Sequence, residues 1–488
     1  MLTSKLINKY KNLPVQVKAS LWYFICSFLQ KAVSALTTPI FTRLLTSSEY
    51  GQFNVFLSWQ SILRVFITLN LFYGVFSAGL VKFKDRRSEF VSSFQGLTLL
   101  LIILWTIVYS CFRSYFNDVF SLTTPQMYSM LLMFWTTAVY SFWAAEQRVE
   151  YKYKTLAIIT IVSTIAKPAL GIILVLTAED KVTARILGLL AVESICFSWM
   201  FFSQIKRYPH LFSSFFWKYA IKLNIPLVPH YLSQNILNNS DRIMIERMVS
   251  FSAAGIYSLA YSVSLIMNMF NSALLETIGP WVYERIKLRE ELEIKRLLIP
   301  SLYFIAGVNI ILIALAPEVV KIFAPAEYYQ ARWIIPPVVM SVYYTYLYNL
   351  FSYFEFYFEK TSYIAVATMF AAVINLGLNY FFINSFGFIA AGYTTLICYI
   401  LYAVGHYCVM KYIVKLNLDG NKVLPAIDLI KISVEFMIIG FVFCALYDIP
   451  IIRYVVFAVM VVILILSYNK WSIYVKELLN LRGFTKTN

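Results

Sequence analysis

The chain has 488 residues, of which 60% are hydrophobic, 18% aromatic and only 14% charged. A soluble domain carries about 25% charged residues, so the composition excludes an ordinary soluble enzyme and points to an integral membrane protein. The net charge of +16 would suit a nucleic-acid binder, but in so apolar a chain it reads as basic loops on the cytoplasmic side of a membrane, with no nucleic-acid partner.

The apolar runs are long and continuous, which suits helices; strands of a membrane barrel would alternate with a period of two. Fourteen segments are predicted to span: 19–42, 51–78, 90–112, 127–145, 155–177, 186–205, 223–246, 255–279, 297–316, 333–354, 362–383, 388–409, 432–447 and 454–468. The chain opens polar and basic, and its first apolar stretch is too long for the core of a signal peptide, so no cleavable signal is expected. No connection is long enough for a soluble catalytic domain. The expected fold is therefore an all-α integral membrane protein whose chemistry lies within the bilayer or at its surfaces.

Basic residues orient these segments. One set of connections holds Lys5, Lys9, Lys11 and Lys18, Lys82 to Arg87, Arg148 to Lys154, Lys206 to Lys222, Arg285 to Arg296, Lys360, Lys411 to Lys431, and Lys470 to Lys486. It carries 29 of the 41 Lys and Arg residues, and the opposite set carries 8. The excess predicts both termini on the cytoplasmic side.

The two halves align at an offset of 204 residues. Arg43-Leu-Leu-Thr-Ser-Ser-Glu-Tyr-Gly51 matches Arg247-Met-Val-Ser-Phe-Ser-Ala-Ala-Gly255, a basic residue closing one segment and a glycine opening the next. The same offset pairs Gln30 with Gln234, Arg64 with Asn268, Tyr140 with Tyr344, and Gly188 with Gly392. Duplication predicts two six-helix lobes, residues 1–222 and 223–412, related by a pseudo-two-fold axis along the membrane normal. Residues 413–488 then hold two further helices, the thirteenth and fourteenth, and a cytoplasmic tail.

Four cations fall inside apolar segments: Lys31, Arg64, Lys167 and Arg242. A cation at bilayer depth costs about 2.5–3.5 kcal/mol on insertion scales and marks a water-filled path, here for something anionic. Lys31 continues a stripe with Ser27, Ser34, Thr38 and Thr42; Arg64 continues one with Asn54, Ser58, Ser61 and Thr68. Spacings of three and four put each set on one helical face. Asn235, Asn239, Arg242 and Glu246 repeat the pattern, as do Ser264, Asn268, Ser272 and Glu276. The alternative is helix-to-helix hydrogen bonding by the same hydroxyls and amides. Asp241 and Glu246 make an ion pair with Arg242 equally plausible. Lys167 precedes Pro168 and either lines the cavity or caps a kink.

The acids at depth are Glu193 and Glu276, each a carrier for a coupling proton or sodium ion or else a partner for a buried cation. Tyr343, Tyr344, Tyr346, Tyr348 and Tyr353 could stack on a sugar, and Asn375 and Asn379 share a face that could bind its hydroxyls. The six cysteines include no CxxC pair and no metal spacing, and no Walker motif suggests ATP use. Neither a cofactor nor a metal is expected.

Pro39 to Phe53, Pro226-Leu-Val-Pro-His230-Tyr-Leu-Ser, Asn239-Ser-Asp241-Arg242-Ile-Met-Ile, Ala254-Gly255-Ile-Tyr257-Ser-Leu-Ala-Tyr261 and Gly387-Phe-Ile-Ala-Ala-Gly392 resemble the polysaccharide-unit exporters. These are lipid-linked oligosaccharide flippases of the multidrug/oligosaccharidyl-lipid/polysaccharide superfamily. The resemblance implies a flippase for polyprenyl-pyrophosphate-linked units of an O-antigen-like or lipopolysaccharide glycan, in the inner membrane and working with other assembly proteins. It implies a cavity whose pyrophosphate site uses Lys31, Arg64 and Arg242, and a lipid-tail groove at the thirteenth and fourteenth helices. Lys31 stands where some relatives have arginine, which removes bidentate recognition there. A multidrug or cation antiporter of the same superfamily should show unpaired acids in its first lobe. A glycan polymerase or ligase should show a large outer loop rich in acids, histidines or arginines. The chain has neither feature.

Overall fold

The computed structural model describes Tyr10, residues 13–418 and residues 423–466. Lys5, Lys9, Lys11, Lys422 and the basic tail from Lys470 to Lys486 lie outside the described residues. All regular structure among the described residues is helical. Spanning chain has no water to satisfy its peptide groups, and a helix satisfies them internally. Eight stretches are long and apolar enough to cross a membrane by length and composition: Val15–Leu44, Lys84–Cys111, Tyr153–Thr177, Lys181–Arg207, Phe251–Leu288, Glu291–Ala314, Thr361–Phe386 and Ala390–Asn417.

The chain divides into two compact units, Met1–Ile243 and Met244–Asn488. Unit 1 holds α1 (Val15–Leu44), α2 (Ser47–Thr68), α3 (Val75–Lys82), α4 (Arg87–Cys111), α5 (Arg113–Phe120), α6 (Thr124–Val149), α7 (Tyr153–Thr177), α8 (Lys181–Arg207) and α9 (Ser214–Asn224). The division falls within α10 (Val228–Met248), beyond residue 223, where the second lobe is expected to start. Unit 2 continues with α11 (Phe251–Ser264), α12 (Met267–Leu288), α13 (Glu291–Ala314), α14 (Ala316–Phe323), a 3₁₀ helix (Ala326–Trp333), α15 (Ile335–Tyr357), α16 (Thr361–Phe386), α17 (Ala390–Asn417), α18 (Ala426–Ala445) and α19 (Pro450–Leu466).

The Arg43–Gly51 motif acquires a local explanation. Thr46 caps α2: its hydroxyl accepts from the Glu49 amide at 3.2 Å, and the Glu49 carboxylate accepts from the Thr46 amide at 2.8 Å. Such a reciprocal box satisfies two amides left orphaned at a helix start. In the second half Ser250 does the same for α11, accepting from the Ala253 amide at 3.1 Å. The repeat thus preserves a hydroxyl cap.

Two of the predicted segments break in their interior, and 223–246 begins at the end of α9 and crosses a 3₁₀ turn, Ile225–Leu227, before α10. Segment 51–78 breaks after Thr68, where Leu69 and Asn70 both take φ of 50° and Gly74 takes φ of 35° before α3 begins. Left-handed backbone costs a leucine about 1–2 kcal/mol, so packing holds this bend in place. Its amides are re-satisfied by tight turns, Leu71 to Thr68, Tyr73 to Asn70 and Phe76 to Tyr73. Segment 255–279 breaks between Ser264 and Met267. Short amphipathic α5, α9 and α14 also lie outside the predicted segments, because none is long enough to register as a span. Phe216 of α9 is fully buried among Phe83, Phe90 and Leu80, which pins this helix to α3 and α4.

The constant offset needs correction. α1 and α10 end at Leu44 and Met248, α2 and α11 start at Ser47 and Phe251, and α4 and α13 start at Arg87 and Glu291, all 204 apart. The three helices after α5 and after α14 are displaced by 208 to 211 instead, because unit 2 inserts the 3₁₀ helix Ala326–Trp333. Tyr140 and Tyr344, and likewise Gly188 and Gly392, are therefore not counterparts. Arg64 sits on unbroken α2, whereas Asn268 lies past the break, on α12.

Candidate functional site

In unit 1, α1, α7 and α8 pack side by side around a cavity of about 340 Å³. Gly188 makes this approach possible: a β-carbon there would stand 2.8 Å from the Gly171 Cα, a contact only small residues permit. Gln30, Ser34 and Thr37 of α1 and Thr164, Lys167 and Pro168 of α7 line the cavity, with Arg185 and Leu189 from α8 and Phe53 from α2.

Lys167 does not face this space as a lone cation. Its Nζ donates to Glu193 Oε1 at 2.7 Å, and the other carboxylate oxygen accepts from the Thr136 hydroxyl of α6 at 2.7 Å. Glu193 is 5% exposed. The carboxylate therefore ties α6, α7 and α8 together. Of the two roles open to Glu193, cation partner and ion carrier, the geometry displays the first. Half-buried Arg64 of α2 stands within Coulombic range of the same carboxylate and 6.0 Å from the Phe72 ring centre. Lys31 is exposed on α1, with no ion pair among the described residues.

Arg185, which falls just before the predicted segment 186–205, lines the cavity. Its guanidinium lies between the rings of Phe41 and Phe53, 3.7 and 3.6 Å from their centres, a sandwich that holds a planar cation by its faces. A signal was present: Arg185, Leu189 and Glu193 recur at intervals of four and share one face of α8.

The other candidates lie elsewhere. Arg242 on α10 is 8% exposed and donates to the Asn238 carbonyl of its own helix at 3.1 Å. Half-buried Asn268 accepts from the Asn271 amide at 3.4 Å, and Asn271 also donates to the Val342 carbonyl. Glu276 is exposed on α12. Asn375 and Asn379 are fully buried on α16; the Asn379 amide donates to Asn375 Oδ1 at 3.2 Å, and the Thr394 hydroxyl of α17 donates to Asn379. Asn379 thus ties α16 to α17, and both side chains are buried rather than facing open space. The tyrosines of α15 behave alike. Tyr346 donates to Ser301 at 2.8 Å, Tyr353 to the Leu275 carbonyl at 2.6 Å, and Tyr343 packs on Phe436. Tyr343 and Tyr346 are fully buried and offer no ring face to a sugar, whereas Tyr344 lines the cavity of unit 2.

Unit 2 has a cavity of its own, about 330 Å³ between α15, α17 and α18. Its walls are Leu347, Phe351, Val404, Leu429, Ile430 and Val434, with Tyr344 and Ser433. It is apolar where the cavity of unit 1 is polar.

Residues 17–285 match the family described as polysaccharide biosynthesis protein. The chain belongs to that family. A relative within reach of sequence comparison is protein 1 of the Lsg locus of Haemophilus influenzae, 22% identical over 389 residues, covering 73% of this chain and 88% of the relative. The fold is shared with the lipid II flippase MurJ in an inward closed conformation, with a TM-score of 0.66 at 17% identity, covering 91% of this chain and 98% of that one. It is shared also with an inward-facing multidrug resistance MATE family transporter of the MOP superfamily, with a TM-score of 0.55 at 14% identity, covering 79% and 96%. The family match ends inside α12, so the helices beyond it rest on the fold comparison.

Proposed function

We propose that this member of the polysaccharide biosynthesis family is a flippase. It carries polyprenyl-pyrophosphate-linked oligosaccharide from the cytoplasmic to the outer face of the cell inner membrane by alternating access, for an O-antigen-like surface glycan. Fourteen helices span, both termini are cytoplasmic, and the two six-helix repeats act as the moving lobes. The observation that carries the reading is the cationic cavity of unit 1. Lys167 and Arg185 line it, Arg64 stands within Coulombic range of Glu193, and that acid, behind the wall, is held by Lys167.

A pyrophosphate head cannot enter hydrocarbon unaided. Lys31 and Arg64, with Lys167 and Arg185 on the cavity wall, would hold it by charge-assisted hydrogen bonds, while Gln30, Ser34, Thr37 and Thr164 offer partners to sugar hydroxyls. The apolar cavity beside α18 suits the prenyl tail. Two negative charges moving outward against an inside-negative potential of about 100 mV gain roughly 4–5 kcal/mol, so potential alone can drive the loaded stroke. A cation exporter is the weaker reading, because a cationic drug would meet a cavity of its own sign. The transporter fold and the short connections likewise favour carriage over catalysis.

The test deletes the gene and assays lipid-linked repeat units on the cytoplasmic face. They should accumulate, and Lys31→Ala and Arg64→Ala should insert normally without restoring export. Full restoration by both would sink the assigned site.

A further inference from the structure

One ionisable pair in unit 2 has no part in the site above. Glu355, near the end of α15, and His406 of α17 face each other with Oε1 and Nδ1 2.8 Å apart, and their side chains are 0% and 1% exposed. Glu355 Oε2 and His406 Nε2 have no hydrogen-bond partner among the described residues. The surroundings are aromatic. Tyr348 of α15 stacks on the imidazole with centres 5.4 Å apart, and Tyr402 meets it edge-on at 4.5 Å. Thr368 of α16 is bonded to the Tyr402 hydroxyl at 2.9 Å. Further titratable groups nearby are Tyr399 and Cys398 of α17, with Tyr261 of α11 next to Tyr399. Neither α11 nor α16 carries a charged residue. Charges on the other packed helices are engaged elsewhere, Lys295 of α13 with Asp428 of α18 and Glu435 of α18 with Tyr303, or are exposed, as Lys411 and Lys415 of α17 are.

A closed apolar seam is a poor place for net charge, and histidine is the side chain suited to changing charge near neutral pH. We propose that Glu355 and His406 form a proton-binding site, loaded while the seam between α15 and α17 is closed and discharged when it opens to water. With His406 neutral and donating from Nδ1, the pair carries one negative charge. One proton taken at the bare Nε2 makes an imidazolium–carboxylate pair of zero net charge, and its loss from the same atom restores the first state. Closure favours the neutral form and water relieves the charged one. A proton gradient then biases which arrangement of α15 and α17 is populated. That use in a transport cycle rests on the flippase reading; the binding of the proton does not.

The chain has only three histidines, so the site can be read directly. The full chain, labelled with ¹³C and ¹⁵N in histidine alone and placed in lipid nanodiscs, gives three ring signals, and His406→Gln identifies the one that disappears. That signal should titrate in a single step between about pH 5 and 9, and Glu355→Gln should lower its midpoint by about one pH unit or more. A ring that keeps one protonation state throughout overturns the site, and so does a midpoint that Glu355→Gln leaves in place. The wild-type titration decides even if Glu355→Gln does not fold. In proteoliposomes, a fluorescent polyprenyl-pyrophosphate N-acetylglucosamine should move about fivefold faster under an imposed pH gradient, and His406→Gln should abolish that dependence. A titrating His406 in a protein that never moves this probe would count against the flippase reading alone.

Discussion

The two units share an order of helices but differ in what fills their centres. Unit 1 concentrates ions: Glu193 binds Lys167, Arg185 is clasped by two phenyl rings, and Arg64 stands within range. Unit 2 has buried ionisable pairs of its own, Glu355 with His406 between α15 and α17 and Arg453 of α19 with Glu318 of α14, but none of them lines its cavity, which is apolar; Asn379 and the hydroxyls of Tyr346 and Tyr353 join further helices. Both units place a hydroxyl cap at a corresponding helix start, Thr46 and Ser250, while their interiors differ.

The contrast can be broken or sharpened experimentally. The largest effect should come from Lys31→Ala with Arg64→Ala, which should lower translocation of a lipid-linked oligosaccharide at least about tenfold, a loss of one to two charge-assisted contacts. Asn268→Ala in unit 2 should change the same rate less than about twofold. Next, Lys167→Ala should destabilise the protein by about 3–5 kcal/mol, because it strands a buried carboxylate. The double replacement Lys167→Met with Glu193→Gln should recover most of that loss in the same thermal unfolding measurement; if it does not, the pair is more than structural. Asn379→Leu should cost about 1–3 kcal/mol by orphaning buried partners between α16 and α17. Gly188→Ala should cost a similar amount by forcing α8 away from α7.

The smallest effect is a pH dependence outside the membrane. Partial burial pushes the Glu150 carboxyl up, but Lys152 at 2.6 Å and Arg87 at 3.0 Å outweigh it and hold the group below the usual carboxylate range. Its stabilising contribution is therefore complete above the ordinary carboxylate range and is lost as pH falls through the lowered value. Glu150→Gln should flatten the acid limb of the stability curve slightly, and leave stability at neutral pH reduced by less than about 1 kcal/mol.

Much of the scaffold was legible because hydrophobic length and helical period are local properties. Most of each predicted segment falls on helix wherever it is described, and the Arg43 motif marks a true turn. The breaks at Leu69 and at Leu265 were hidden, since both lie inside long, mostly apolar runs and depend on packing that no local window contains, although Asn70 and Gly74 gave a local hint at the first. The late shift of the repeat was hidden because the inserted turn, Ala326–Trp333, resembles any other loop. Lys167 and Glu193 were both visible as ionisable residues at depth, but 26 residues separate them, and only the α7–α8 packing brings them together. Arg185 was misplaced by a boundary: the helix begins at Lys181, five residues before its predicted start. Glu355 and His406, 51 residues apart, offered no spacing to read at all.

The capped turns carry one more implication. Between α1 and α2 only Leu45 and Thr46 are non-helical; Thr46 and Glu49 restart the chain, while Lys181 of α8 donates to the Leu44 carbonyl that ends α1 at 3.2 Å. The full cap is therefore complete only once α8, 137 residues further on, has been made and has docked. At Ser250 the capping hydroxyl and the Ala253 amide it serves both belong to the start of α11 itself.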